Sequence, residues 1–449
     1  MLDHKYSHQM KKTISTETLR KFTMWTLALW VLLQMLLVFI YWNNEQGPDQ
    51  QGYMRHALQC FAIGSTYPSM QNLYDQYLQS PGMVNYLMLQ HIIFGTTSFS
   101  IDKVFNILMN IAIVCNIYYL ARRFFGQTTA YLSVIIYCLL PTNLFAPIWL
   151  LSELPYLFLA LTGLSLSLSK RGWLVLTASV LYALAHTFRP LVLAFLVVSI
   201  VAYFIERRSL RYYLLAVIPY LLVLYGIGMH NKANTGYFVT SSTTGGYNLI
   251  MTANDRALAR PEFSIFDDPT NIAYVPNRQS LTFAEKDSIY KARAVKWIGE
   301  HPLRYLALYV EKIGRLWSGD VWSMPKFSQW DDYDYIRTLP NPGNRILIRR
   351  LIQAVEGLPY YVLVLVFFIT LYKHWKEVVT PKGIFLLLLL LGTAGTCLFT
   401  VEVRFHYPYL FCLVVWAAYG IANSIHSILK GNGHDLRLST RRSRFGKGT

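Results

Sequence analysis

The sequence predicts an all-α protein that crosses a membrane many times, and three observations carry that prediction. Only 14% of its 449 residues are charged while 54% are hydrophobic, against about 25% charged in a soluble domain. Ten apolar runs are long enough, or nearly so, to span a bilayer as helices, which takes about 20 residues each. The basic residues collect on alternate sides of those runs, as the cytoplasmic excess of Lys and Arg in membrane proteins requires.

In chain order the runs lie at about 22–42, 104–120, 128–146, 153–169, 172–188, 190–205, 212–229, 358–372, 382–400 and 407–428. The first follows a charged segment and has no small-residue cleavage site after it, so it reads as an uncleaved anchor. Placing the N-terminus inside puts 21 of the 41 Lys/Arg, and five of the 24 acids, on inner segments. The formal net charge of +17 is then a topology signal, with both basic tails inside, and nucleic acid is excluded as a partner.

The segments divide into an inner tail 1–21, a membrane module 22–230 with an outer loop 43–103, an outer region 231–355, terminal membrane helices 356–429 and a basic inner tail 430–449. The short runs 172–188 and 190–205 share the tip His186-Thr187-Phe188-Arg189-Pro190 and read as a hairpin. Residues 83–94 are too short to span and are expected along the outer interface. In the outer region, expected to be of mixed structure, Thr243 to Leu249 reads as a turn. Thr282-Phe283-Ala284-Glu285 is a capping box opening an amphipathic helix, and His301-Pro302 breaks it before a second helix to Trp317.

Several function classes drop out. The five cysteines form no CxxC pair and join no His cluster, so no metal site or disulfide framework is expected. There is no fixed-period repeat and no phosphate loop of the Walker type, which counts against an ATP-driven pump. No cofactor is implied.

Chemistry-bearing residues gather at the expected outer rim. Asp49 stands just beyond the first run, where a partly apolar setting suits a general base; its structural alternative is the cap of a helix starting at Gln50. Tyr53 shares its face if 49–58 is helical. Glu153 follows Ser152 as the first-turn acid of a helix that Ser152 would cap. Arg189, with His186 three residues before it, and Arg404, with His406 two residues after it, stand at the ends of runs. Arginine suits a phosphate at low dielectric through its bidentate fork, so a lipid phosphate headgroup is the expected ligand; the alternatives are that each arginine anchors a helix at the interface and that each histidine is a satisfied polar residue. The aromatics and acids from Trp317 to Tyr335, including Trp322, Trp330, Asp320, Asp331, Asp332 and Asp334, suit a sugar, which offers apolar ring faces and hydroxyls; interface-belt aromatics are the alternative.

In this order, over roughly residues 20–430, the pieces resemble the GT-C superfamily of membrane glycosyltransferases, in its protein O-mannosyltransferase and lipid A aminoarabinose transferase branch. The resemblance rests on Asp49-Gln50-Gln51-Gly52-Tyr53, Ala121-Arg122-Arg123-Phe124-Phe125-Gly126, Ser152-Glu153-Leu154-Pro155, Phe188-Arg189-Pro190, Gly245-Gly246-Tyr247-Asn248-Leu249, His301-Pro302-Leu303-Arg304 through Lys312 to Trp317, and Arg404-Phe405-His406-Tyr407-Pro408. It implies a polyprenyl-phosphate sugar donor, an envelope acceptor (glycan, lipid or protein), inversion at the anomeric carbon, and Asp49 as base. Tyr53, Glu153, His186, Arg189, Arg404 and His406 are the expected substrate contacts. Members of the family often carry Asp-Glu where this chain has Asp49-Gln50, so a metal role there is not expected. The implied location is the bacterial inner membrane with the site facing the periplasm. A flippase of lipid-linked sugars, or a glycan ligase or polymerase, is the competing reading.

Overall fold

The computed structural model describes residues 16–43, 47–95, 98–320 and 342–442, and among them every regular element is helical. The helices are α1 (Thr16–Ile40), α2 (Pro48–Ile63), α3 (Pro81–Phe94), α4 (Ser100–Phe125), α5 (Gln127–Leu139), α6 (Pro141–Phe145), α7 (Glu153–Ser167), α8 (Gly172–Phe188), α9 (Leu193–Ile205), α10 (Leu210–Thr235), α11 (Thr244–Met251), α12 (Phe283–Glu300), α13 (Pro302–Leu316), α14 (Pro342–Lys373), α15 (Ile384–Cys397) and α16 (Leu410–Arg442). The outer region expected to be mixed is therefore helices, 3₁₀ turns and loops where described.

All ten expected runs fall on helix. Among the described residues, four helical stretches (Thr16–Ile40, Ser100–Phe125, Leu210–Thr235 and Val403–Ser427) are long and apolar enough to cross a membrane, and a bent pair makes a fifth. With its mean hydropathy of +0.31, this is a multi-pass membrane protein. The other five apolar helices have 10–17 residues; a 15-residue helix such as α7 rises only about 22 Å at 1.5 Å per residue, against a hydrocarbon core of about 30 Å. By length and composition alone, the count of ten spans is not reached among the described residues. The run expected at 128–146 is not one helix: α5 and Pro141–Ile148 meet at 71°. Leu140 is extended (φ −78, ψ 122), the conformation a residue before proline prefers, and Pro141 cannot donate back into α5.

Buried amides tie the bundle together. Asn110 Nδ2 donates to Gln34 Oε1 at 3.0 Å and to Asn143 O at 2.7 Å, and Tyr137 OH donates to Asn110 Oδ1 at 3.1 Å. Interhelical bonds of this kind stabilise apolar bundles by about 0.6 kcal/mol each. At the opposite end of α4 from Ser100, Glu206 bridges Arg123 and Arg208, both at 2.6 Å, and Arg208 donates to the closing carbonyls of α7 at Leu168 and Ser169. Gly126, between α4 and α5, has φ +97, a backbone that favours glycine.

The two expected outer pieces form one layer. Phe283 N donates to Leu73 O at 2.7 Å, Thr243 N to Leu78 O at 3.2 Å, and Lys286 Nζ to Tyr74 O at 2.9 Å. The expected capping box is present: Thr282 accepts from Glu285 N, and Glu285 accepts from Thr282 N at 2.7 Å. The expected turn at Thr243 to Leu249 is instead the start of α11. Gly246 allows it: a Cβ there would lie 2.2 Å from Asp287 O, so α11 presses directly on the backbone of α12, and Gly246 N donates to Asp287 Oδ1 at 2.6 Å. A small apolar core around Tyr247, Phe266, Tyr290 and Trp297 fills the space between them.

Candidate active site

Asp49 lies in the first turn of α2. That helix starts at Pro48 with Gly47 as its N-cap, so Asp49 is not the cap of a helix beginning at Gln50. A carboxylate in the first turn is favoured by the helix dipole. Tyr53 follows one turn later, on the same face, and lines the same cleft. Burial raises the Tyr53 phenol pKa, and the charges of Asp49 and Glu153 raise it further, so it stays a neutral hydrogen-bonding group. Gly52 between them lets Gln79 approach: an added Cβ would meet Gln79 Nε2 at 2.2 Å.

Arg404 comes from the 3₁₀ segment Val403–Tyr409, 355 residues away in sequence, and its Nη2 donates to Asp49 Oδ2. Its Nε lies 2.8 Å from Glu402 Oε2 and 3.8 Å from Glu153 Oε1. Arg189 is the extended residue between α8 and the turn Pro190–Val192. Its Nη2 is 2.7 Å from Glu153 Oε1, and its Nε donates to Ser152 Oγ at 3.2 Å. Ser152 is the N-cap position of α7, but its side chain makes no cap hydrogen bond; it serves Arg189 instead. Both guanidinium carbons sit over the Phe405 ring, at 5.0 and 5.4 Å, a cation–π arrangement that spaces the two cations. Four segments distant in sequence thus converge on one network.

The network forms a wall of a cleft of about 350 Å³, at the small end of the ligand-pocket range of about 300–1,000 Å³. Aromatic rings of Tyr53, Tyr77, Tyr247, Phe263 and Phe399 face it together with polar Gln79, Ser80, Ser242, Thr244 and Asn248. Tyr247 is held by Gln76 Nε2, which donates to its hydroxyl at 2.9 Å, and by stacking on Phe266 at 4.4 Å. Flat rings interleaved with amide and hydroxyl groups suit a sugar carrying an anion. Behind the arginines, a second cavity of about 30 Å³ is lined by Thr142, Trp149, Glu153, Asp320, Arg404 and Tyr407, room for about one water.

Asp49, Tyr53, Arg189 and Arg404 therefore line one cleft, with Glu153 joining the arginines from behind. The two histidines lie elsewhere. His186 Nδ1 is 2.8 Å from Tyr220 OH and its Nε2 3.5 Å from Thr240 Oγ1. His406 is buried, with Nδ1 donating to Leu316 O at 3.1 Å, Nε2 3.6 Å from Asp320 Oδ1, and Trp317 and Tyr360 against its ring. Trp322, Trp330 and the acids after Asp320 in the expected sugar-binding stretch lie outside the described residues. Sequence reasoning did not single out Glu402, Ser152, Phe405, Gln79 or Tyr77 as site residues; the first and third flank Arg404, so they carried a signal of position. Among the described residues, no group of three or more His, Cys, Asp or Glu side chains is placed to hold a metal ion.

No family model and no curated protein matches the sequence. Solved structures do. The oligosaccharyltransferase of Archaeoglobus fulgidus in its apo form superposes with a TM-score of 0.51 at 12% identity, covering 93% of this chain and 52% of that one. The chain thus spans about half the length of that enzyme. ArnT from Cupriavidus metallidurans, solved with undecaprenyl phosphate, matches with a TM-score of 0.38 at 12% identity over 89% of this chain and 78% of that one, an agreement too loose to build on. At such identities the likeness establishes fold alone: the helical membrane fold shared with the oligosaccharyltransferase.

Proposed function

We propose that the protein is an integral-membrane glycosyltransferase that moves a sugar from a polyprenyl-phosphate donor to a hydroxyl of an envelope acceptor. The observation that carries this reading is the pairing, across 355 residues of sequence, of a first-loop carboxylate with a two-arginine wall in a sugar-sized aromatic cleft. The oligosaccharyltransferase fold supports it.

In this reading the acceptor oxygen attacks the anomeric carbon as the bond from that carbon to the phosphate oxygen breaks. Asp49 takes the acceptor proton, and the electron pair leaves with the polyprenyl phosphate. Arg404 and Arg189 neutralise the charge that grows on the leaving group, where preorganised donors contribute most to rate. Attack opposite the phosphate inverts the anomeric centre. Tyr53 and the cleft aromatics hold the sugar, while Glu153 positions both arginines. His186 and His406 act from outside the cleft, bracing α8 against α10 and the Val403–Tyr409 turn against Leu316. All ten apolar segments lie in the membrane in this reading, seven in the module 22–230 and three in the terminal helices 356–429. The inner excess of basic residues supports a reading with both termini in the cytoplasm and the cleft at the periplasmic side of an inner membrane.

The test is loss of label from radiolabelled polyprenyl-monophosphate sugars in a lipid reconstitution with envelope acceptors. Wild type should consume one donor. Asp49→Asn should lose about 100- to 10,000-fold in turnover, the range a general base supplies, while still binding donor. Unchanged turnover would remove Asp49 as base. If wild type consumes no donor of the panel, the transferase reading gives way to transport or to transfer from a lipid diphosphate.

A further inference from the structure

Helix α13 falls in the region expected to stand outside the membrane, yet its contacts put it beside a membrane helix. Tyr305 OH donates to Leu398 O at 2.6 Å, and Tyr309 OH to Ala394 O at 3.0 Å. Four residues forward on α13 therefore match four residues back on the end of α15, so the two helices run antiparallel with their turns in register. Trp317, just past the end of α13, adds a 3.2 Å bond from its Nε1 to Thr393 Oγ1. The α15 segment is apolar throughout its first turns, with leucine at every position from Leu386 to Leu391.

On its inner side α13 buries Leu308, Lys312 and Leu316, with Lys312 Nζ 3.5 Å from Thr252 Oγ1 and 4.7 Å from the Tyr305 ring centre. The other side is apolar and bare. Leu303 is 80% exposed, Leu306 57%, Val310 62% and Ile313 36%, a spacing of three, four and three residues that draws one stripe along a helix. Arg304 and Glu311 lie on its rim, about 100° round the helix from the stripe. Beside it, Leu390 on α15 is 66% exposed and Leu398, just past the end of α15, is 47% exposed.

We propose that α13 is a half-inserted helix whose Leu303–Ile313 stripe contacts the acyl chains of the bilayer, with its C-terminal end deeper than its N-terminal end. The occupant is lipid because the stripe lies beside exposed Leu390 and Leu398, at the depth of the last turns of α15 to which Tyr305 and Tyr309 bond. This rests on the reading of the chain as membrane-embedded. It gives the cleft a floor at bilayer depth: α13 holds α11 through Lys312 and Thr252, and α11 carries Tyr247 and Asn248 into the cleft. A donor whose phosphate sits at the headgroup level would then reach the cleft without leaving the membrane.

Spin labels on cysteines introduced one at a time at 303, 306, 310 and 313 test it, in bilayers of phosphatidylglycerol and phosphatidylethanolamine and in a background where exposed Cys115 is Ser and the four other native cysteines are buried. Collision with oxygen should exceed collision with a water-soluble nickel chelate at all four, by a margin growing from 303 to 313, while a label at 311 reports water. Nickel access at the four positions equal to that at 311 would overturn the proposal. So would spin–spin broadening lost on dilution with unlabelled protein, since that makes a second copy the occupant. A label at Leu32, exposed on α1, separates the two failures: if it too is open to nickel, the membrane reading itself has failed.

Discussion

Replacing Arg404 with Gln separates its role in the fold from its role in the proposed reaction. Its side chain is 13% exposed and meets three carboxylates, of which Asp49 and Glu402 are 43% and 41% exposed and Glu153 only 6%. Asp49 and Glu402 are open enough to regain water when the guanidinium goes. Glu153 is not, but it keeps Arg189 at 2.7 Å. No buried charge is therefore stranded, and the folding cost should be that of a charge-assisted hydrogen bond, about 1.5–3 kcal/mol, rather than the roughly 3–5 kcal/mol of a broken buried pair. The loss of a donor aimed at a developing anion costs about 100- to 1,000-fold in turnover. The variant should thus remain folded, shown by an unchanged gel-filtration profile and a modest fall in melting temperature, while kcat and kcat/KM fall together. Arg404→Lys should recover part of the rate, since it keeps the charge without the fork. Turnover within threefold of wild type, or a rise in KM with kcat intact, would refute a transition-state role.

Three further outcomes follow from burial. Burial lowers the Lys312 pKa from 10.5 to about 8, a charge-burial cost of roughly 3 kcal/mol. Lys312→Met should therefore stabilise the protein at pH 7, with the gain shrinking between pH 8 and 10.5 as the folded wild type sheds its proton first; a variant no more stable than wild type at pH 7 would contradict this. His56 is held below its ordinary 6.5 by desolvation, against the opposing pull of Asp75 at 3.7 Å. The unfolded chain binds that proton more readily, so stability should fall as pH drops through 6.5, and a His56→Gln variant should show a flatter melting profile between pH 7 and 5. Gly246→Ala drives a Cβ to 2.2 Å from Asp287 O, a backbone atom that cannot step aside, and should cost about 1–3 kcal/mol and lower turnover by displacing Tyr247; an unaffected melting temperature would show that α11 and α12 slide freely.

The membrane helices were legible because their signal is local: an apolar run needs no knowledge of its neighbours. The site was legible in its parts, and the reasons for the gaps are geometric. His186 and Arg189 are three apart and would share a face in a helix, but α8 ends at Phe188 and Arg189 is extended (φ −151, ψ 125), which sends the two side chains apart. Arg404 and His406 are two apart in a 3₁₀ turn, where three residues complete a circle. Two residues thus turn about 240°, so when Arg404 faces the cleft His406 faces Asp320 and Trp317. The helix at α11 was hidden by its Gly245-Gly246 pair, a turn signal in isolation whose real cause, contact with α12, is tertiary. The bend at Pro141 was written in the sequence, but hydropathy averages over it.

The charges of the cleft contain one more consequence of the proposed reading. Among the described residues, Arg189 and Arg404 face Asp49, Glu153 and Glu402, so in the empty cleft Arg404 is occupied by the carboxylate proposed as the base. A donor phosphate binding Arg404 must take it from Asp49. Glu402 pairs with the guanidinium on its Nε side, at 2.8 Å, whereas the bond to Asp49 is made from Nη2, the nitrogen that would make the exchange. Donor binding then frees Asp49 for the acceptor, and the acceptor is activated only when there is a sugar to receive. The exchange predicts that Asp49→Asn, though inactive, binds a polyprenyl-phosphate donor more tightly than wild type, because the competing charge-assisted bond, worth about 1.5–3 kcal/mol, is gone. Titration of the donor into both proteins should show a gain on the order of tenfold, the equivalent of about 1.4 kcal/mol. A weaker or equal affinity in the variant would mean that Arg404 holds Asp49 throughout the cycle, and that Arg189 alone meets the phosphate.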